Sequence, residues 1–153
     1  MNNTIVLKEI DTEEEMMETF DLLSILYADF TKEKYSSLLI EMIPNNYKQL
    51  VAIDGSKLVG VCGFWLSTKV WCGKYIELDN VVVSREYRSK GIGKLFTNYL
   101  NLKAVKEECN LMVCDVYTDN YKAQKFYSNE GFIPRGFHYI KPLNNKLQLE
   151  VKD

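Results

Sequence analysis

The 153-residue sequence predicts an α/β sandwich built on one mixed β-sheet, with the element order β-α-α-β-β-β-α-β-α-β-β. Three observations lead to this fold class. Apolar, strand-like runs are interspersed with stretches whose apolar residues recur at helical spacing. Helices and strands do not alternate strictly, which excludes a pure βαβ arrangement. The length is that of about one domain of the usual ~100–200 residues.

The first third of the chain predicts one strand and two helices. Residues 4–10 alternate enough to form a strand. Thr12 and Glu15 have the spacing of a capping box, which predicts that a helix begins after Thr12. A second, short helix follows Thr31 and ends at Pro44, because proline cannot continue a helix. One face of the first helix is predicted to carry Met16, Met17, Phe20, Leu23, Leu26 and Tyr27.

The middle of the chain predicts three strands. Residues 48–53 and 57–66 are apolar runs separated by Asp-Gly-Ser at 54–56, and Asp-Gly between two such runs is typical of a hairpin. Residues 67–73, rich in small and aromatic side chains, predict a loop. A long strand follows over residues 74–84.

The last third predicts two helices and three strands. Residues 91–108 form an amphipathic helix, and residues 111–117 are apolar on both faces, as in a central buried strand. Residues 120–130 form a helix that ends at Gly131, because glycine readily adopts the left-handed conformation found after helices. The chain closes with a predicted hairpin made of residues 132–140 and 146–151.

The composition excludes several classes of protein. It is 46% hydrophobic and 26% charged, which is ordinary for a globular domain and unlike disordered, collagen-like or disulfide-rich chains. Nineteen basic and 21 acidic residues leave a net charge of −2, so no positive field attracts nucleic acid or an anionic membrane. No apolar run reaches the ~18 residues of a membrane span, and the first residues do not form a leader. These features predict a soluble, cytoplasmic protein with a single domain over residues 1–153.

Cysteine and histidine usage points away from metal and disulfide chemistry. The four cysteines form no CxxC pair, which predicts free thiols in a reducing compartment. The single histidine, His138, argues against a histidine-rich metal site, so no metal is expected. A Ser-His-Asp triad would depend on that one residue.

The strongest chemical signal is a strand, a short basic loop and a glycine-containing helix start over residues 81–94. A helix N-terminus leaves amide groups unpaired and carries about half a positive charge, so it attracts anions. Gly91 and Gly93 remove side chains that would keep a phosphate from the backbone. A pyrophosphate suits such a site, although an ordinary helix start with a solvated basic rim remains an alternative. Positive charge around the loop comes from Arg85, Arg88, Lys90 and Lys94.

Two segments together resemble one family. Residues 88–93 read Arg-Ser-Lys-Gly-Ile-Gly, similar to the (Gln/Arg)-x-x-Gly-x-(Gly/Ala) acetyl-CoA signature of the GNAT N-acetyltransferase superfamily. Residues 120–132 resemble the family's Asn-x-x-Ala-x-x-Phe-Tyr-x-x-x-Gly-Phe stretch. The two elements lie at the right separation and cover residues 75–133, which makes the signal specific. The aromatic segment 65–75 fits no pattern of the family.

The resemblance implies a GNAT-like, mostly antiparallel sheet flanked by about four helices, with acetyl-CoA as the acetyl donor. It further implies direct transfer to a primary amine in a ternary complex, which needs no cysteine nucleophile. The pyrophosphate is expected on the amides of Arg88, Ser89, Lys90, Gly91, Ile92, Gly93 and Lys94.

The same resemblance places the pantetheine arm of CoA along a strand edge. The arm is expected to pair with Val81, Val82 and Val83, where the sheet splays, and N–H groups there would polarise the acetyl carbonyl. Asn120 either hydrogen-bonds the pantetheine or caps its own helix. Both roles stay open at this point.

The resemblance also implies the acid and the base. Tyr127 is expected to protonate the departing thiolate, with a core tyrosine as the alternative. Glu77 and Asp79 share one face of their strand because they are two residues apart, and either carboxylate could deprotonate the amine. Glu77 ranks first because many family members carry a base at its position. Alternatively, Glu77 is a solvated strand residue and Asp79 caps a backbone turn.

The acceptor is the least defined part. Its specificity is expected from the first two helices, residues 67–73 and the last hairpin, where His138 is either a base or substrate contact or a structural residue. The acidic first helix either attracts a cationic acceptor or is a solvated face. A non-catalytic acyl-CoA-binding module and a protein-modifying acetyltransferase remain alternatives, and a homodimer is compatible with the family. Aromatic residues that could line an acceptor pocket, or belong to the core, are Tyr27, Phe30, Tyr35, Trp65 and Trp71.

Overall fold

The computed structural model describes residues 5–27 and 29–144, which form one five-stranded sheet with helices on both faces. The strands are β1 (Val6–Ile10), β2 (Tyr47–Asp54), β3 (Lys57–Lys69), β4 (Gly73–Val83) and β5 (Leu111–Cys114). The helices are α1 (Glu13–Met17), α2 (Phe20–Leu23), α3 (Lys32–Met42), α4 (Ile92–Lys106) and α5 (Tyr121–Asn129). The sheet order is β1-β2-β3-β4-β5. All neighbours are antiparallel except β4 and β5, so the predicted mixed, mostly antiparallel sheet is confirmed.

The first predicted helix is divided into two short ones. The capping prediction is correct: Thr12 Oγ1 accepts a hydrogen bond from the Glu15 amide at 3.3 Å. The helix then breaks at Thr19, whose buried hydroxyl donates to the Met16 carbonyl at 2.8 Å. The chain turns there and α2 ends at Leu23, so the prediction that Leu26 and Tyr27 continue one helical face is wrong, and both are about half exposed. The described residues therefore hold five helices where about four were expected.

The core lies on both faces of the sheet. On one face α4 packs against the central strands through Phe96 and Leu100, both fully buried. On the other face Met16 and Leu39 bring α1 and α3 against β2 and β3. At about 25 cal/mol per Å² of buried apolar surface, these contacts stabilise the sheet and hold its central strands in place.

The predicted loop at residues 67–73 is wrong for most of its length. β3 continues to Lys69 and pairs with β4 from Gly73 onward, with Ser67 opposite Tyr75. The turn proper is confined to residues 70–72, and Gly73 adopts a left-handed φ of 70° to begin the return. Since Val70 and Trp71 stand at the tip, both are exposed.

β4 leaves its neighbours in two steps that shape the site. The register with β3 passes from Gly63 opposite Asp79 to Val61 opposite Val82, so β4 contains an extra residue, a β-bulge. Asn80 lies in the bulge with a left-handed φ of 53°. The ladder with β5 stops at the pair of Leu78 and Cys114. Residues 79–83 therefore have no β5 partner along that edge, and β5 ends short of the predicted residue 117.

The carboxyl-terminal part is only partly described. Residues 132–144 form no helix or strand with other described residues. The predicted second strand of the last hairpin, residues 146–151, lies outside the described residues, so that hairpin stays a prediction. Within residues 5–27 and 29–144, every helix is too short or too polar to cross a lipid bilayer.

Candidate active site

The start of α4 presents a row of unpaired amides. Gly91 begins the helix with a φ of 84°, and the preceding Ser89 is also left-handed at 60°. Within the described chain, the amides of residues 89–94 donate no hydrogen bond, and the first α4 bond runs from Leu95 N to Gly91 O. The Arg88 side chain folds back and donates to the Val83 carbonyl at 3.2 Å, which ties the loop to the end of β4. The turn thus offers several parallel donors to an anion.

The two glycines of this turn have different roles within the fold. A Cβ on Gly93 would lie 3.0 Å from Phe126 Cζ, so its absence lets α5 pack on the first turn of α4. A Cβ on Gly91 would meet nothing within 4 Å, and its glycine is required by the left-handed φ. The sequence interpretation gave both glycines one reason, clearance for a phosphate. For Gly93 the structure supplies a second reason, which is packing.

The loop is also fastened to the β2–β3 turn. The Tyr87 hydroxyl donates to Asp54 Oδ2 at 2.6 Å. The ammonium groups of Lys57 and Lys90 lie 5.5 and 4.8 Å from the centre of the Tyr87 ring. Lys57 is paired with Glu86 at 2.6 Å, whereas Lys90 is exposed beside the unpaired amides. The positive charge that the sequence predicts is therefore present on the loop surface.

Asn120 and Tyr127 lie at the two ends of α5. Asn120 Oδ1 accepts from the Ala123 amide at 3.1 Å, so the capping role is observed. Tyr127 packs edge-on against Phe126 and Phe132, with ring centres 5.1 and 5.3 Å apart.

The Tyr127 hydroxyl makes no hydrogen bond to another described residue. Burial, together with the nearby thiols of Cys114 and Cys62, raises the pKa of Tyr127 well above its usual value. The hydroxyl therefore stays protonated at neutral pH and can act as a donor. The two thiols place it near the bulge in β3 and β4 and the end of β5.

The two β4 carboxylates have different surroundings. Glu77 stands directly opposite Trp65 on β3 and Val113 on β5. It is partly buried and lines a cleft of about 830 Å³ together with Trp65, so it is not simply a solvated strand residue. Asp79 accepts from the Trp65 indole N–H at 3.1 Å, in place of the backbone-turn contact considered from the sequence.

Glu77 has an altered acidity. Its pKa is raised first by burial and then by the negative charge of Asp115, with a smaller contribution from Asp79. Lys69 and His138 act in the opposite direction. A carboxylate with a raised pKa is closer to the value that suits a general base at neutral pH.

His138 lies near this group. Its Nδ1 is 2.8 Å from Asp115 Oδ2, and both side chains are about two-thirds exposed. Asp115, Asp79 and His138 all influence the acidity of Glu77, so the structure places these side chains in the neighbourhood of Glu77. Asp115 was not anticipated.

A buried polar network under the cleft was also missed. Gln49 is completely buried, and its amide donates to the hydroxyls of Tyr35 at 2.7 Å and Tyr47 at 3.1 Å. The Thr19 hydroxyl lies 3.0 Å from both Tyr35 and Gln49 Oε1. A signal was present in the sequence, because Gln49 shares one strand face with the apolar residues Tyr47 and Val51. Buried polar groups at such positions are hydrogen-bonded as a rule.

The other reactive side chains add no further centre. The four cysteines are free thiols. Burial raises the pKa of Cys114 to about 11. Over the described ranges, no group of three or more His, Cys, Asp or Glu side chains is arranged to hold a metal ion.

Comparison with known proteins identifies the family of the chain. A model of the acetyltransferase (GNAT) family matches residues 11–132, well over half of the chain. The uncharacterized N-acetyltransferase YhdJ of Bacillus subtilis strain 168 is 23% identical over 141 residues, which cover 91% of this chain and 99% of that protein.

Solved structures share the fold. The aminoglycoside N-acetyltransferase AAC(6')-Iy, crystallised with CoA, superposes with a TM-score of 0.78 at 15% identity and covers 92% of this chain and 97% of its own. Glucosamine-6-phosphate N-acetyltransferase from Arabidopsis thaliana gives a TM-score of 0.72 at 19% identity over 92% of this chain and 99% of its own. At these identities the likeness concerns the arrangement of strands and helices.

Proposed function

Because the chain belongs to the GNAT acetyltransferase family and is an N-acetyltransferase, as its sequence predicts, we propose that it transfers an acetyl group from acetyl-CoA directly to a primary amine of a small molecule. One observation carries the proposal. The β4 edge at residues 79–83 has no β5 partner, and it lies between the unpaired amides of residues 89–94 and the cleft that holds Glu77.

The cosubstrate is proposed to bind along these unpaired groups. The amides of residues 89–94 suit the pyrophosphate of CoA, since a helix N-terminus favours negative charge. The open edge at Val81, Val82 and Val83 offers backbone donors to the pantetheine and the acetyl carbonyl. Asn120 uses only its side-chain oxygen for capping, which leaves its amide nitrogen able to donate to the pantetheine. When bound, acetyl-CoA supplies the thioester that reacts.

Glu77 is proposed as the base. A primary alkylamine has a pKa near ~10.4, so it reaches the site protonated and must lose a proton before it attacks the thioester. The burial that raises the pKa of Glu77 makes its carboxylate a stronger proton acceptor than an exposed one. Asp79, held by the Trp65 indole, is proposed to stay in place as a fixed partner for the cationic amine.

Tyr127 is proposed as the acid. As the amine nitrogen bonds to the acetyl carbon, the carbon–sulfur bond breaks and the sulfur takes a proton from the Tyr127 hydroxyl. The raised pKa keeps that proton on the oxygen until the thiolate forms. The first proton of the ammonium goes to Glu77, directly or through a water, before the attack, and the second leaves the nitrogen for solvent water as the amide forms. Glu77 then releases its proton to solvent and Tyr127 takes one back, so one proton is released per transfer.

A small-molecule acceptor is proposed over a protein chain. Several structural neighbours are named as aminoglycoside acetyltransferases, and a curated relative from Homo sapiens, 24% identical over 142 residues, is named a spermidine/spermine N(1)-acetyltransferase-like protein. This chain covers only 20% of that human protein. The Glu77 carboxylate and the Trp65 ring line the cleft, and Asp79 is hydrogen-bonded to the indole of that ring, which is a chemistry suited to an organic cation.

The test combines binding and turnover. Calorimetric titration with acetyl-CoA, compared with dephospho-acetyl-CoA, measures cosubstrate affinity. An acceptor panel of polyamines, aminoglycosides, amino sugars and a lysine peptide measures transfer. Glu77→Gln is expected to lower kcat/KM by about 10²–10⁴-fold, with acetyl-CoA affinity unchanged.

Matched variants control for general damage. Glu41→Gln removes an exposed carboxylate from α3, and Tyr121→Phe removes an exposed hydroxyl from the helix that holds Tyr127; both should retain full activity. Absence of acetyl-CoA binding up to millimolar concentration would contradict the proposal. So would a Glu77→Gln variant as active as Glu41→Gln, and transfer to the peptide alone would reject the small-molecule acceptor.

A further inference from the structure

Trp65 stands next to both carboxylates of β4, as the strand partner of Glu77 and as a hydrogen-bond donor to Asp79. On β3 it stands directly opposite Glu77, and its indole N–H reaches across to Asp79 Oδ2 at 3.1 Å. The side chain is partly buried, so this hydrogen bond to a charged group is shielded from water on one side. One residue thus borders the proposed base and holds the carboxylate next to it.

The ring of Trp65 is itself supported by the core residue Tyr47. It packs on the Tyr47 ring with centres 4.8 Å apart. Tyr47 is fixed in turn by its hydrogen bond from the buried Gln49 at 3.1 Å. A Cβ on Gly63 would come within 2.3 Å of the Tyr47 hydroxyl, so the Tyr47 side chain has room in this position only because residue 63 is glycine. The orientation of the indole is therefore set by the core.

We propose that Trp65 is a positioning residue for the transfer, whose indole N–H holds the Asp79 carboxylate beside Glu77. This inference rests on the proposed function of Glu77 as the base. It assigns the two carboxylates separate tasks: Asp79 is anchored and supplies a fixed negative charge, while Glu77 is free to take the proton. The amides of residues 89–94 and the Tyr127 hydroxyl take no part in it.

The charges that face Glu77 determine in which direction its pKa is expected to move. Asp79 on β4 and Asp115 after β5 raise the pKa of Glu77. Lys69 on β3 and His138 in the carboxyl-terminal segment lower it. If Asp79 is no longer held, its contribution weakens. The pKa of Glu77 then falls, and the acidic limb of the rate profile moves to lower pH.

The experiment is a double-mutant cycle on the intact chain with the best acceptor of the panel. Trp65→Phe keeps an aromatic ring on Tyr47 and removes the N–H donor. We expect kcat to fall about tenfold, the size of one hydrogen bond to a charged group. The KM for acetyl-CoA should not change, and the acidic limb should move to lower pH. Asp79→Asn should produce the same shift, and Trp65→Phe should add less than twofold in the Asp79→Asn background.

The chain provides a matched control in its other tryptophan. Trp71 lies at the tip of the same hairpin and is not among the residues that line the cleft; its ring centre is 4.8 Å from Arg135 Cζ, and no carboxylate of the described residues is hydrogen-bonded to its indole. Trp71→Phe should therefore leave both kcat and the pH profile within twofold of the parent. The proposal is overturned if Trp65→Phe behaves like Trp71→Phe, or if its effect multiplies in full with that of Asp79→Asn.

A spectroscopic measurement does not depend on how Trp65→Phe folds. In the Trp71→Phe variant the remaining indole N–H resonance belongs to Trp65. Asp79→Ala should move that resonance upfield and speed its exchange with water, and an unchanged resonance would overturn the proposal. If Glu77→Gln retains activity while the indole still responds to Asp79, the proposed base is wrong and the hydrogen bond stands. If Glu77→Gln is inactive while the indole resonance does not respond to Asp79→Ala, the hydrogen bond is wrong and the proposed base stands.

Discussion

The two sides of β4 differ in how their polar groups are satisfied. On the acceptor side, the side chains of Thr19, Gln49, Tyr47, Trp65 and Asp79 are joined by hydrogen bonds and ring contacts from the core to the cleft. On the cosubstrate side, the amides of residues 89–94 and the Tyr127 hydroxyl have no partner among the described residues, and residues 79–83 have no β5 partner. The first side is organised before a ligand arrives. On the second side, the hydrogen-bond donors stay unpaired until a ligand binds.

The difference follows from the chemistry required of each side. A base and its neighbouring carboxylate must be held within a fraction of an ångström, which needs a supporting layer of fixed side chains. An anion-binding turn needs unpaired N–H groups instead, because a donor already bonded to the protein has little to offer a phosphate.

The largest expected effect is the pH dependence of the acceptor side. Glu77 must be deprotonated to accept a proton, and burial raises its pKa above the usual 4.5. At saturating acetyl-CoA and amine, kcat should therefore fall about tenfold per pH unit once the pH drops below this raised value. A pH-rate profile measures the limb. A midpoint of this acidic limb at or below the pKa of an ordinary carboxyl group would contradict the assignment of Glu77 as the base. The limb should also vanish in Glu77→Gln.

The next largest effect compares the stability of the two sides. Gln49→Leu leaves the buried hydroxyls of Tyr35, Tyr47 and Thr19 without their shared partner. The free energy of unfolding should fall by about 3 kcal/mol. Tyr127→Phe removes a hydroxyl that has no partner among the described residues, so stability should change by less than about 0.5 kcal/mol.

Urea denaturation with matched m-values measures both changes. If Gln49→Leu and Tyr127→Phe lost the same free energy of unfolding, the two sides would not differ in how their polar groups are satisfied. Transfer should respond in the opposite order, because Tyr127→Phe removes the proposed acid and should lower kcat by about 10²-fold.

A smaller effect concerns the packing between the cosubstrate helices. Gly93→Ala brings a methyl group to 3.0 Å from the Phe126 ring, so α5 must shift from the first turn of α4. We expect a loss of about 1–2 kcal/mol of stability and weaker acetyl-CoA binding. Phe126→Leu should relieve most of this loss. The same Phe126 change should not relieve Gly91→Ala, whose cost comes from the φ of 84°.

The smallest effect concerns the exposed charge of the loop. Lys90→Gln should weaken acetyl-CoA binding by about two- to fivefold at low salt, and the difference should shrink at ~1 M salt, where charges are screened beyond ~3 Å. Lys57→Gln serves as the comparison, because Lys57 is already paired with Glu86 at 2.6 Å and should matter less. Calorimetry at two salt concentrations measures both variants.

Local patterns predicted much of the fold. The capping box at Thr12, the Asp-Gly hairpin at residues 54–56 and the helix start at Gly91 all lie where expected. These features depend on neighbours in sequence. The β-bulge and the early end of β5 depend on how three strands twist past one another, which no local pattern records.

The candidate site likewise contains residues that sequence motifs identify and contacts that no local pattern reveals. Glu77 and Tyr127 were identified through motifs, and the structure adds the environments that raise the pKa of each. The contacts of Trp65 with Asp79 and of Thr19 with Gln49 join residues 14 and 30 positions apart. Such pairs become visible only when the strands are in register, because the sequence shows which side chains are polar and not which ones meet.

The short ladder between β4 and β5 has a consequence for folding. β1 to β4 are consecutive antiparallel neighbours that can zip together through nearby turns, whereas β5 joins through four residue pairs after the α4 crossover. The segment from β5 to α5 should therefore open more readily than the rest, and its amide hydrogens should exchange first. A cosubstrate that bridges this segment to β4 would slow that exchange, so binding would also complete the assembly of the domain.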